Sequence, residues 1–232
     1  MADSLHDALR PREELDVLKA MLAESPGDGA ALWRAARAQV DIAKQVKGEH
    51  EYTRSVRDSV YQVARDFAER AVAADSNEAE AHFTVALVLG QLSLTRSGNE
   101  RVRFARTIYD EAARAVALDS AHDGAHHVLG AWHAEIKRLS GLTRFFAKTL
   151  FGAGFMDRAH WDSATTHLEK AVALNPTYIH HRLELAQVYA DRSRWAEARA
   201  QLEAIPSLPD RDVVDGDHRT AAAALLQKIR NK

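Results

Sequence analysis

Three stretches of the chain repeat one spacing of apolar, mostly small residues: Ala64, Ala68, Ala71; Ile108, Ala112, Ala115; and Ala164, Leu168, Ala171. Positions i, i+4 and i+7 share one face of an α-helix, and small side chains there let a second helix approach closely. Each stretch runs into a polar turn, at Asp75-Ser76, Asp119-Ser120 and Asn175-Pro176, and a new helical pattern restarts after it. The preceding helices answer with Ala35-Ala36, Val85-Ala86, Leu129-Gly130 and Leu185-Ala186, each pair ending in a small residue at the expected crossing point. Such a chain is constrained to stack helix on helix. A bulky residue at Ala171 is expected to overpack its hairpin.

The last stretch is the most regular. Ala164, Leu168, Ala171 and Pro176, followed by Leu185, Ala186, Tyr189, Trp195, Ala198, Leu202 and Ile205, follow the offsets of a tetratricopeptide (TPR) repeat of about 34 residues. The expected fold is an all-α, right-handed TPR-like solenoid forming a single domain over residues 1–232. Its parts are a half-repeat at 1–28, four hairpins at 29–78, 79–122, 123–178 and 179–209, and a capping helix within 210–232. The half-repeat helix is placed at Pro11–Glu24, from Leu15, Leu18, Met21 and Leu22. The cap is placed at Asp217–Arg230, with Asp217 at its start. The first three hairpins are longer than the repeat requires. Their extra sequence falls between paired helices, at Gln45–Val60, Leu94–Arg106 and Arg138–Arg158, where repeat proteins carry their individuality.

Composition agrees with helices and narrows the function. Hydrophobic residues make up 46% and charged residues 28%, with only 5 Pro and 11 Gly, too few for a many-turned β fold. Lys and Arg number 31 against 33 Asp and Glu, so no global basic field gathers nucleic acid, and no nucleic-acid partner is expected. The absence of cysteine removes disulfides and thiolate chemistry and leaves cytoplasm and periplasm equally open. The charged start MADSLHDALRPREELD carries no apolar run, and no stretch reaches the roughly 18 apolar residues of a spanning helix. A soluble chain without signal peptide or transmembrane segment is the expectation.

Three segments go beyond a generic repeat: AHFTVALVLGQLS at 81–93, AHHVLGAWHAEI at 125–136 and RFFAKTLFG at 144–152. With Gly90, His126, His127, Leu129, Gly130, Trp132, Arg144, Ala147, Leu150, Phe151 and Gly152, they resemble the regulator of microtubule dynamics family over about Ala30 to Lys228. The resemblance implies a TPR-like fold. Animal members of the family are known at microtubules and at contacts between mitochondria and endoplasmic reticulum, and many relatives are bacterial. Many animal members carry a membrane segment and a coiled coil, which this sequence lacks, so a tethering role is not carried over. The Ala- and Arg-rich composition looks bacterial.

In TPR proteins the first helix of each pair lines a concave groove. That rule puts Trp33, Arg37, Phe83, Leu87, Gln91, His127, Ala131, Glu135, His180, Leu183, Gln187 and Asp191 toward the groove. Aromatic, polar and charged residues together suit a peptide or helix partner. The functional expectation is a non-catalytic scaffold binding a protein or peptide, with Trp33 and Phe83 as apolar anchors, Arg37 pairing charge, and Gln91 and Gln187 bonding backbone. The competing expectation is that the insertions fill the groove and these residues pack beneath them. The segment 138–158 offers a second surface. Arg144, Phe145, Phe146, Lys148 and Phe151 form a basic aromatic stretch that could touch a membrane surface or an acidic partner. The favoured expectation there is a buried clip, with Phe146, Leu150 and the chain after Gly152 packed across the third hairpin.

No catalytic pattern stands out. His122, His126, His127 and His133 crowd one helix start, and His126 and His133 share a face, but their spacing is not His-Glu-x-x-His. Packing and capping explain them, and no metal or cofactor is expected. Gly152-Ala153-Gly154 follows a helix where a phosphate loop needs a strand, and Asp210, Asp212, Asp215 and Asp217 lack the calcium-loop order.

Overall fold

The computed structural model describes residues 1–48 and 50–232; Glu49, inside the first extension, lies outside the described residues. Among the described residues all regular structure is helical. Two compact units divide the chain, Met1–Ser120 and Ala121–Lys232.

In the first unit α1 (Ala2–Asp7) and α2 (Pro11–Glu24) precede the hairpins α3 (Gly29–Lys44) with α4 (Glu51–Ala74) and α5 (Ala79–Ser93) with α6 (Gly98–Leu118). Local chemistry sets the boundaries. Pro11 opens α2 where its missing N–H costs nothing, and Asp28 caps α3 by accepting from the Ala31 amide at 3.0 Å. The exits share one geometry. The amides of Ser25, Asp75 and Asp119 donate to the carbonyls of Met21, Ala71 and Ala115 at 2.8–3.0 Å. Asn175 repeats this on Ala171 in the second unit, at 2.9 Å. The core of the first unit joins Leu15, Leu18 and Leu22 of α2 to Leu32, Trp33, Ala35 and Ala38 of α3, Ala71 of α4 and Ala81 of α5.

The second unit holds α7 (Asp123–Arg138), α8 (Gly141–Phe151), α9 (Trp161–Leu174), α10 (Ile179–Asp191), α11 (Trp195–Ala204) and α12 (Asp215–Ile229). Helix α7 pairs with α9, and α10 with α11. Gly130 lets α7 and α9 touch, since a Cβ there would stand 2.5 Å from Leu168 Cγ. Leu168, Ile179, Leu183, Leu185, Val188, Tyr189, Leu202, Ile205 and Ile229 make the core.

The extra sequence is spent in two ways. In the first two hairpins much of it lengthens the second helices, to 24 residues in α4 and 21 in α6. The α5–α6 connection is then tied back to α4, as Arg96 donates to both Asp58 oxygens at 2.8 and 3.0 Å. In the third hairpin it forms the separate helix α8 and a 3-10 turn at Gly154–Arg158. The last helix starts at Asp215 rather than Asp217. Asp215 is buried, and one of its oxygens accepts from the amides of Arg211 and Asp212 at 2.7 and 2.9 Å, fixing the turn that enters the helix. Asp217 sits in the first turn instead of capping it.

Candidate functional site

Helix α3 is where the groove expectation changes most. Trp33 is 7% exposed and belongs to the core with the α2 leucines, so it is not a groove anchor. The Arg34 and Arg37 guanidinium carbons stand 4.2 and 5.1 Å from the centre of its indole ring. Arg37 is committed internally. It donates to Glu14 Oε1 at 3.0 Å, and Glu14 is fully buried, so the pair holds α2 on α3. Arg34 donates to Asp3 of α1 at 2.8 Å, and His6 of α1 lies 3.4 Å from Glu14 Oε2. Sequence reasoning overlooked α1 and this network. A signal existed: Glu14 falls within the apolar stripe Pro11, Leu15, Leu18, Leu22, and a carboxylate there needs a buried cation.

On α5 the expected residues keep an outward aspect. Phe83, Leu87 and Gln91 are half-buried at successive turns. Gln91 Oε1 accepts from the Tyr61 hydroxyl at 3.2 Å, which orients its amide.

In the second unit Leu183, also expected in a groove, is a core residue at 4% exposure. Its neighbours on α10 define a charged face. Arg138, at the end of α7, donates to Glu135 and Glu184 at 2.6 and 3.0 Å and to Asp191 at 2.8 Å. Burial raises the Glu184 carboxyl above the usual carboxylate range despite the Arg138 charge beside it. Glu135 and Asp191 are exposed, and Gln187 and His127 are half-buried. Arg138, taken from sequence as part of the basic insertion, is the hub that joins α7 to α10.

Histidines pack along both seams of α7. His126 and His167 bring their Nδ1 atoms within 2.9 Å, and the rings of His133 and His167 stack at 6.0 Å. The His160 amide donates to His133 Nδ1 at 3.4 Å. Burial, followed by the neighbouring His167 and His160, pushes His133 down to about 4. On the other seam His181 Nε2 is 3.0 Å from Asp123 Oδ2, and His181 Nδ1 is 3.1 Å from His127 Nδ1. Burial alone would raise the Asp123 carboxyl, but the His181 ring and the Asn175 amide hold it down to about 2. Among the described residues no three such side chains converge as a metal would require.

The clip expected from 138–158 forms only in part. Ala153, Met156 and Ala159 are buried, whereas Phe146 and Leu150 are not. Helix α8, capped by Ser140 Oγ on the Thr143 amide at 3.1 Å and closed by Gly152 at φ 65°, buries Ala147 and turns Leu142, Phe145, Phe146 and Leu150 outward. Phe151 is 37% exposed, Arg144 is half-buried, and Lys148 pairs with Asp157. Elsewhere no helix among the described residues is long and apolar enough to cross a membrane.

Known proteins resemble this chain in architecture and in sequence. A thermophilic TPR protein of Thermus thermophilus superposes with a TM-score of 0.67 at 20% identity, over 97% of this chain and 95% of that one. An IFIT1 monomeric mutant solved with Gppp-AAAA gives 0.53 at 15% identity, over 96% of this chain and 52% of that one. These likenesses bear on the fold alone. In sequence, mouse regulator of microtubule dynamics protein 1 is 26% identical over 200 residues, 86% of this chain and 64% of the mouse protein. Rat regulator of microtubule dynamics protein 3 is 26% identical over 180 residues, 77% of this chain and 37% of the rat protein. The chain thus spans less than two thirds of the length of either relative. The family model described as regulator of microtubule dynamics protein 1-3 matches residues 1–230. With that match running nearly end to end over a TPR-like stack of helices, the chain belongs to the regulator of microtubule dynamics protein 1-3 family.

Proposed function

We propose that the chain is a non-catalytic interaction module that holds a segment of a partner protein against the first helices of its hairpins. The observation that carries this reading is the row Phe83, Leu87, Gln91 on α5, where two apolar side chains and an oriented amide lie along one half-exposed face. A bound helix or strand would place apolar anchors against Phe83 and Leu87 and a backbone group against Gln91. On the second unit Gln187 offers a similar amide beside the carboxylates gathered by Arg138, a face suited to a partner segment carrying a basic residue. Arg37 contributes to the fold rather than to the partner, because Glu14 already takes its charge.

The test is affinity capture with the purified chain and with Phe83→Glu and Leu87→Glu, each first checked for helix content. Partners captured by the wild type should be lost from both variants. Retention of every partner by both would sink the proposal. Microtubules belong among the purified baits, because the relatives are named for regulation of microtubule dynamics.

A further inference from the structure

Helix α8 is amphipathic with its apolar face outward. At about 100° per residue, Phe145, Leu142 and Phe146 fall in one arc turned away from Ala147, its buried residue, and Leu150 extends the arc at its edge. Leu142 is 66%, Phe145 58%, Phe146 49% and Leu150 65% exposed. Together they present an apolar patch of several hundred Å², on the order of the largest patch tolerated on a soluble protein. Arg144 and Lys148 lie on the other side, half-buried.

The charge around this patch is mostly positive, with Asp157, paired to Lys148, as its carboxylate. From Leu139 to Met156 the sequence contains no Asp or Glu. Lys148 is paired with Asp157, whereas Arg144 and Lys137 have no ion-pair partner among the described residues. A second copy of the chain fits poorly. Two α8 helices face to face would set Arg144 and Lys148 of one copy against those of the other, with one exposed carboxylate per copy, Asp157, already engaged by Lys148. An anionic lipid surface answers both features, since its acyl boundary takes phenylalanine and leucine while its headgroups attract basic side chains. Arginine and lysine stems can reach along the helix to that level.

We propose that α8 seats the protein on an anionic bilayer surface, with Leu142, Phe145, Phe146 and Leu150 entering the headgroup layer and Arg144 and Lys137 meeting lipid phosphates. The proposal uses no residue of the α5 row and stands whether or not that row binds a protein. One helix of this length gives weak, reversible attachment, so binding depends on both lipid charge and salt.

Co-sedimentation of the whole chain with vesicles of phosphatidylcholine, with and without phosphatidylserine, tests it. The wild type should pellet with the serine-containing vesicles, about tenfold less with Phe145→Glu/Phe146→Glu or in high salt, and less with Arg144→Glu. These side chains are exposed or half-buried, and circular dichroism checks that each variant keeps its helices. Failure to pellet above the phosphatidylcholine level overturns the proposal. So does equal pelleting of wild type and the double glutamate variant, or light scattering that shows α8 mediating a dimer in place of lipid binding.

Discussion

Replacing Gly130 by alanine sets two known effects against each other at one atom. In a helix interior alanine is favoured over glycine by ~0.5–1 kcal/mol. Against that, the new Cβ would lie 2.5 Å from Leu168 Cγ and 3.0 Å from the Ala164 carbonyl oxygen. Leu168 is fully buried and cannot swing aside, and the carbonyl moves only if α9 moves. Overpacking of this kind costs ~1–3 kcal/mol, so the net expectation is a loss of ~1–2 kcal/mol, a fall of several degrees in the melting temperature of the second unit. Gly90 of α5 provides the control, because a Cβ there meets nothing within 4 Å among the described residues. Gly90→Ala should therefore gain ~0.5–1 kcal/mol from helix propensity alone. Urea unfolding followed by circular dichroism, with hydrogen exchange to assign the change to a unit, reads both variants. If Gly130→Ala proves as stable as Gly90→Ala, the α7–α9 seam has slack that its geometry denies.

Two further outcomes concern the second unit. His133 titrates near 6.5 when unfolded and at about 4 in place. Its neutral form therefore stabilises the fold fully above pH 6.5, and that stability drains as pH falls from 6.5 toward 4, by about 3 kcal/mol in all. His133→Leu should flatten that slope in denaturation curves taken across the window, and an unchanged slope would move the acid sensitivity elsewhere. Arg138→Met leaves Glu135, Glu184 and Asp191 facing one another without their shared cation. A loss of about 2 kcal/mol is expected, with faster exchange of amides at the end of α7 as the local readout.

Much of the fold was legible because close helix crossings demand small residues. Gly130 and the alanine-rich triplets announced the seams, and the polar turns after Ala71, Ala115 and Ala171 marked the exits. The site was harder to see. Groove assignments from periodicity treat every first helix alike, yet Trp33 and Leu183 are core because α2 and the neighbours of α10 cover them. Arg37 was readable only together with Glu14, a long-range pair that spacing along one helix cannot reveal. Helix α8 misled for a different reason. Amphipathic patterning identifies an apolar face but not which way it turns, and here Ala147 rather than the phenylalanines points inward.

The alanines of the first unit have a mechanical meaning. Ala31, Ala35, Ala36, Ala38 and Ala43 of α3, Ala64, Ala68 and Ala71 of α4, and Ala81 and Ala86 of α5 are all buried. An alanine surrenders no rotamer freedom on burial, so these seams form without that entropic cost. It also has no rotamer to rearrange afterwards. A push on such a seam cannot be absorbed by side chains shuffling past one another, and must be carried as a shift of entire backbones. Whatever compliance this unit has is concentrated in its short connections, such as those at residues 25–28, 75–78 and 94–97, while its helices pass on a displacement as stiff rods.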